Sequence, residues 1–560
     1  MQSGSGQQRL EKPQSGKEEF MAIHQEVLDE MILQYPDKVK KNRIKHIIRV
    51  NPEESCQQIE ANTRTVPGII SQRGCAYAGC KGVVVGPIKN MITITHGPVG
   101  CGYYSWGTRR NKVRADDDTP PEKIYSPMCF ITDMQESDIV FGGEKKLAKM
   151  IDEIVHMFRP PAINICATCP IGLIGDDLGA VAKAASEKHG IPVLAYNCEG
   201  YKGVSQSAGH HIANNVLMER VIGSGDGVKK PDQYVINILG EYNIGGDSWE
   251  IERILHDIGY TVQGVLTGDS SYEEIQNLHI ANLNLVMCHR SINYIAEMME
   301  EKYGIPWLKI NFIGVEATRR SLRDMALVTG DEAIIQRTEE VIAREEARII
   351  PVIEHYRKIC AGKTAFAFVG GSRSHHYQHL LKDLGMEVVV AGYEFAHRDD
   401  YEGRQVIPTI KTDADSKNIP DLDIQPDPEL YQEAHVHLNL SKEKFEEVCS
   451  KVQLGYYEGM YPDMHAGNLM IDDCNHYEAE RLVKELKPDL FFAGVRDKYI
   501  AQKMGIPAKQ LHSYDYSGPY AGFNGAANFA RDVADALTTP AWKFITPPWE
   551  KESQTGDNNA

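Results

Sequence analysis

The sequence has no uninterrupted apolar stretch of about 18 residues, the length a helix needs to span a bilayer, so no membrane segment is expected. It has no basic excess either. Its 60 lysines and arginines stand against 78 aspartates and glutamates, for a formal charge of −18. That balance disfavours a nucleic-acid partner, because such proteins usually carry a basic patch or stripe. Residues 1–17 are rich in Gln, Ser and Gly and have no apolar core, so no secretory signal is expected. No Gly-x-x-x-x-Gly-Lys-Ser/Thr loop occurs, so nucleotide hydrolysis is not expected on this chain.

What is present is ordinary for a globular protein. The 560 residues are 42% hydrophobic and 25% charged. At roughly 100–200 residues per domain they make about three or four domains. Twelve cysteines without a secretory signal fit a reducing, cytoplasmic setting. There, thiol clusters serve metal binding or catalysis more often than disulfides.

Short apolar runs alternate with amphipathic stretches. Ala162–Ala167, Val193–Tyr196, Tyr234–Leu239, Leu283–Met287, Ala365–Val369, Val388–Ala391 and Leu490–Ala493 read as buried strands. Gly143–Phe158, Ser248–Ile258, Ile292–Tyr303 and Glu478–Leu486 read as helices. Leu147, Met150, Ile151, Ile154 and Phe158 form one stripe at helical spacing. This alternation implies an α/β protein with parallel sheets and crossover helices. Gly-Ile-Pro recurs at Gly190, Gly304 and Gly505, each time after a helix. Glycine can end a helix and proline prevents its continuation, so three similar α/β units are expected.

The expected layout is a tail and arm at 1–45, units at 46–230, 231–364 and 365–550, and a tail at 551–560. A Pro- and acid-rich insertion near 402–467 looks like a surface region. Ligands of open parallel sheets sit at the carboxyl ends of strands. Cys169, Cys288 and Gly370-Gly371 fall there.

Three cysteine sites carry chemistry: Gly74-Cys75-Ala76-Tyr77-Ala78-Gly79-Cys80 and His96-Gly97-Pro98-Val99-Gly100-Cys101-Gly102, both glycine-flanked, and Cys166-Ala167-Thr168-Cys169-Pro170. Thiolates are soft ligands suited to iron–sulfur clusters or zinc. Any one of these cysteines alone is as readily a buried, inert core residue. The spacing of Cys75, Cys101 and Cys169 is not that of a compact ferredoxin or zinc ribbon, so a cluster shared by distant loops, at an interface between chains, fits better.

These motifs continue through Cys169-Pro170-Ile171-Gly172-Leu173-Ile174-Gly175-Asp176-Asp177, Gly203-Val204-Ser205-Gln206-Ser207-Ala208-Gly209-His210-His211 and Cys288-His289-Arg290-Ser291. Gly392-Tyr393-Glu394-Phe395-Ala396-His397 and His512-Ser513-Tyr514-Asp515 follow. Together they resemble the α subunits of nitrogenase component 1, the molybdenum–iron type above all, over roughly residues 40–550. The insertion resembles the long form of the clostridial and methanogen-like branch.

The resemblance implies three Rossmann-like domains around a central metal-cofactor cavity, and an oxidoreductase that reduces N2 to ammonia. It implies that Cys75, Cys101 and Cys169 hold an [8Fe-7S] P-cluster shared with a β subunit. It further implies that Cys288 and His512 hold an iron–molybdenum cofactor of composition [7Fe-Mo-9S-C] with homocitrate. Val83 and Arg109 then resemble residues flanking the reducing face. Gln206 and His210 resemble hydrogen-bonding groups, His210 being the candidate proton donor. Gly370, Gly371 and Arg373 resemble a loop of amide and guanidinium donors to the anionic cluster. Arg496 stands where the family usually has lysine, near the homocitrate carboxylates; arginine grips a carboxylate bidentately and is not equivalent. An α2β2 heterotetramer and a separate ATP-hydrolysing iron protein are the implied partners. The alternatives are a cofactor-assembly scaffold, a vanadium or iron-only nitrogenase α subunit, and a zinc-stabilised α/β binding protein.

Overall fold

The computed structural model describes residues 26–51, 54, 57–61, 63, 74–107, 111–229, 234–288, 292–369, 374–394, 396–407, 418–494, 497–511 and 517–545. The first strand, β1 (Ile47–Arg49), joins a sheet completed only late in the chain. Next come β2 (Ile92–His96), β3 (Phe130–Ile131), β4 (Ile163–Ala167) and β5 (Val193–Tyr196). They form a parallel sheet in the order β3-β2-β4-β5. The second sheet holds β6 (Tyr234–Glu241), β7 (Tyr260–Thr267), β8 (Leu283–Val286) and β9 (Trp307–Lys309), in the order β7-β6-β8-β9 and again parallel.

The third sheet holds β10 (Thr364–Val369), β11 (Glu387–Tyr393), β12 (Leu469–Asp472), β13 (Leu490–Ala493) and β14 (Ala508–Gln510). Its order is β1-β12-β11-β10-β13-β14. Only β1 runs antiparallel in it, pairing Ile47 with Ile471. The interior strands β2, β4, β8, β12 and β13 are buried along their whole length, as expected where helices cover both faces of a parallel sheet.

All seven strands expected from the sequence are present, their bounds differing by at most two residues at either end. The helix read at Gly143–Phe158 spans Glu144–Phe158, with Leu147, Ile151 and Ile154 as its buried stripe. The Gly-Ile-Pro repeat has a structural counterpart. Gly190, Gly304 and Gly505 all take left-handed φ values, of 68°, 78° and 77°. Each ends a helix and leads into β5, β9 or β14, the edge strand at one end of its sheet. Three units are therefore built by the same turn.

One segment differs from expectation, and another gains detail. The described part of the N-terminal arm is docked on the core. Val27, Leu28, Met31 and Ile32 pack into the core beside β11 and β13. The buried Arg43 guanidinium donates to both carboxylate oxygens of Glu478, at 2.6 and 2.5 Å. The insertion near 402–467, expected as a surface region, is the one that differs. Leu438, Val448, Val452, Met460 and Met464 belong to the same core as the second and third sheets. Its polar composition hid an apolar side that the sheets cover.

Candidate functional site

The three cysteine sites meet at the carboxyl end of the first sheet. Cys75 immediately precedes the helical turn that becomes a π-helix over Ala78–Val85, and its sulfur accepts from the Ala78 amide at 3.4 Å. Cys101 lies on the helix Val99–Gly107, which follows β2. Cys169 opens the helix Cys169–Ile174, which follows β4. The two strand ends are stitched together. The Thr168 amide and hydroxyl both donate to the His96 carbonyl, at 3.2 and 2.9 Å. The His96 ring joins Thr132 and Asp176 at 3.0 and 3.1 Å.

Gly200, just past β5, closes the site. A Cβ there would stand 3.0 Å from the Cys169 sulfur and 3.6 Å from that of Cys75. Burial raises the Cys101 thiol, and the thiols of Cys75 and Cys169 raise it further. Among the described residues, the three sulfurs do not all close to the 4.8 Å mutual spacing that a single ion would need. Three thiols set wider than a single ion needs suit a polynuclear iron–sulfur centre better than a mononuclear site.

The face that carries these thiols is open. Cys75 is exposed. Around it Tyr104 is 71% exposed and Leu173 77% exposed, and Val99, Tyr103 and Tyr201 are exposed as well. Apolar side chains gathered on one face mark an interaction surface. Three thiols from one chain leave room for further ligands from another.

Behind this face lies a second group of residues. Helix Gln206–Arg220 crosses the Ala78–Val85 turn at two glycines. A Cβ on Gly79 would overlap the Gln206 carbonyl, and one on Gly209 would overlap the Ala76 carbonyl. Backbone therefore lies on backbone, and the turn that carries Val83 is fixed against the helix that carries Gln206 and His210. The Gln206 side chain lies against Gly74, whose Cβ would stand 3.0 Å from Gln206 Cδ. The His210 ring sits 6.4 Å from that of Tyr242, just beyond β6. Gly240, at the end of β6, makes room for Cys288 at the end of β8: a Cβ there would stand 2.7 Å from Cys288 Cβ. Cys288 is 9% exposed. From the third sheet, Tyr393 closes the same region, and its hydroxyl hydrogen-bonds His375 Nδ1. Burial pushes the Tyr393 phenol far above its ordinary pKa, with Asp400 and, further down, Cys288 adding to the effect.

Thus Cys75, Cys101 and Cys169 come together, and Gln206, His210 and Cys288 line the carboxyl ends of the first and second sheets. Arg109, Gly370, Gly371, Arg373, Arg496 and His512 lie outside the described residues. In the chain, Arg496 comes after β13 and His512 after β14. Gly200, Gly240 and Tyr242 were not singled out from the sequence. Their only signal is position, at or just past a strand end. A cavity of about 650 Å³, lined by Lys309, Arg320, His375, His376 and Tyr457 among others, opens between the second and third sheets.

Three α/β units, the first gathering thiols at its strand ends on an open apolar face and the second holding a buried cysteine behind it, define a metal-cluster redox subunit. The sequence model of the nitrogenase component 1 type oxidoreductases matches residues 75–538. The molybdenum–iron protein alpha chain of Clostridium pasteurianum is 56% identical over 94% of this chain and 97% of its own length. That of Methanosarcina barkeri is 53% identical over the same shares. The solved structure of nitrogenase Cp1 at pH 6.5 superposes with a TM-score of 0.88, covering 93% of this chain and all of that one. The chain belongs to the nitrogenase component 1 family of oxidoreductases. Within it, the relatives favour the molybdenum–iron alpha-chain reading over the vanadium, iron-only and scaffold readings.

Proposed function

We propose that this chain acts as the α subunit of a molybdenum–iron nitrogenase, in an α2β2 tetramer that reduces N2 to ammonia with electrons from an ATP-hydrolysing iron protein. The observation that carries the residue assignments is the convergence of Cys75 and Cys169 on Gly200 at an open apolar face, with Cys101 close enough for both thiols to raise its own and with Cys288 buried behind. When bound, the metal centres supply the electron storage and bond chemistry; the protein supplies ligation, orientation and protons.

In this reading Cys75, Cys101 and Cys169 are the α-side ligands of an [8Fe-7S] P-cluster, completed by the β subunit. Cys288 and His512 hold the two ends of the iron–molybdenum cofactor, thiolate on iron and imidazole on molybdenum. Val83 and Arg109 shape the reducing face. Gln206 orients polar groups beside it, and His210 carries a proton to it. Imidazole suits that task because its ordinary pKa, near 6.5, lets it both take and release a proton at neutral pH. Gly370, Gly371 and Arg373 donate amide and guanidinium hydrogens to the anionic cofactor. Arg496 pairs with the homocitrate carboxylates.

The three units are residues 46–230, 231–364 and 365–550, with the insertion near 402–467 in the last. Among the described residues, no helix is long and apolar enough to cross a membrane, and we place the enzyme in the cytoplasm.

Anaerobic co-purification with the β subunit, followed by Fe, Mo and V quantification and an N2-reduction assay, tests the proposal. Retained Mo and turnover are expected. An Fe-only or V-containing protein, or one that releases its cofactor without turnover, overturns it.

A further inference from the structure

A second set of thiols lies behind the first. Cys80 sits in the π-helical turn Ala78–Val85, Cys166 near the end of β4, and Cys198 just past β5. All three are fully buried. Their sulfurs lie within 4.8 Å of one another, and among the described residues no other group of potential ligands closes this tightly. The Cys198 thiol also points to the Ala167 carbonyl, at 3.5 Å. Tyr77, Leu194 and Tyr196 belong to the same buried cluster, so the surroundings are apolar walls with hydroxyl tips.

The contrast with the surface thiols is informative. Those are spread apart on an open face, whereas these are closed around a point. Three bonds of about 2.3 Å to a central cation place sulfurs about 4 Å apart in a plane, within the observed spacing. We infer that Cys80, Cys166 and Cys198 form a buried site for a single soft d10 cation, Zn2+ or Cu+, separate from the centre at Cys75, Cys101 and Cys169.

Three features define the chemistry. The donors are all sulfur, which selects thiophilic cations over magnesium, calcium or manganese. They come from three different elements that the backbone already holds in place, so little ordering entropy is lost on binding. Burial in apolar surroundings raises the Cys80 and Cys198 thiols well above their ordinary range, so binding must displace protons and weakens as pH falls. Zn2+ would leave the site with a charge of −1 against three thiolates, which favours it in a buried setting. Cu+ tolerates three ligands without a fourth. The two share one donor set and are told apart by loading.

The competing arrangement is three neutral thiols packed as small apolar groups, which need no ion. Intact tetramer would be loaded anaerobically with Zn2+ or with Cu+ as its acetonitrile complex, freed of loose metal by chelator, and analysed for Zn, Cu, Fe and Mo. The expected result is one retained Zn or Cu per α chain, lost in Cys80→Ala and Cys198→Ala but kept in Cys449→Ala. No retained metal, or equal retention in the variants, would overturn the site. Loss of iron instead of Zn or Cu in the variants would assign these thiols to the larger centre, and likewise overturns it. Should the variants fail to assemble, X-ray absorption on loaded wild-type protein decides. A shell of three sulfurs near 2.3 Å supports the site, and a nitrogen or oxygen shell rejects it.

Discussion

The backbone of Gly79 rests directly on the backbone of Gln206, with no side chain between them. This contact joins the turn that follows Cys75 to the helix that presents His210. It fixes the distance between the open thiol face and the residues behind it.

Gly79→Ala should therefore be costly. Its Cβ meets a carbonyl and not a flexible side-chain tip, so the two segments must part. Overpacking of this kind costs about 1–3 kcal/mol or more. Gly82→Ala, three residues on, meets nothing within 4 Å and serves as the control. Differential scanning calorimetry and metal content should show a lower Tm and lost Fe and Mo for the first variant. The second should match wild type; equal behaviour of the two would refute the argument.

Cys169→Ala and Cys288→Ala should separate the two metal centres. Cys169 faces the open apolar surface, while Cys288 is buried at the end of β8. The first variant should lose iron and subunit association. The second should lose molybdenum while keeping the iron held at the subunit seam. Losing even an outer partner of a metal ligand typically costs about 10–100-fold, so each loss of a direct ligand should lower N2 reduction by at least that much. Loss of the same metals in both variants would contradict the assignment.

Leu173→Asp tests the open face. Leu173 is 77% exposed, on the helix that begins with Cys169. A charge at the centre of an apolar interface typically costs about 2 kcal/mol or more of association. The variant should fold but elute from gel filtration without its β subunit. Normal tetramer would place the interface elsewhere.

The insertion should give the protein an acid-sensitive joint. His437 packs its Nε2 on the Tyr303 carbonyl at 2.9 Å, and its Nδ1 accepts from Lys229 Nζ at 2.8 Å. Burial, and then the Lys229 charge, hold its pKa at about 4, against an ordinary 6.5. The unfolded chain takes up that proton near pH 6.5 and the folded chain refuses it until about pH 4. Stability is therefore present above 6.5 and is lost as pH falls through that window. Between pH 7.5 and 5.5 the loss should be about 1 kcal/mol. His437→Gln should shrink the Tm difference between those two pH values. An unchanged difference would show that the imidazole does not carry it.

Much of this was legible locally. Val193–Tyr196 and Leu490–Ala493 end where the sequence placed them, because fully buried parallel strands are short apolar runs bounded by turn residues. Strands β9 and β14, three residues each, and β7, with its polar Thr261 and Gln263, gave weaker signals; all three sit at sheet edges, where one side is unpaired. Cys75 and Cys101 were recognisable because glycines beside cysteines leave a local trace, and Cys169 because it closes a Cys-x-x-Cys. Cys80 and Cys166 appear in the same motifs, but nothing local joins them to Cys198, because the three come from separate elements.

By itself, the sequence determined the α/β class, the three repeated turns and the identity of the surface thiols. These depend on residues close together in the chain, where helix ends, strand lengths and flanking glycines are set. Only the tertiary structure decided that β1 pairs with β12 across more than 400 residues of chain, or that Gly79 meets Gln206. It alone decided that one set of three cysteines spreads over an open face while another closes around a buried point. Those relations arise from packing between distant segments, and nothing in a local window records which surfaces will meet.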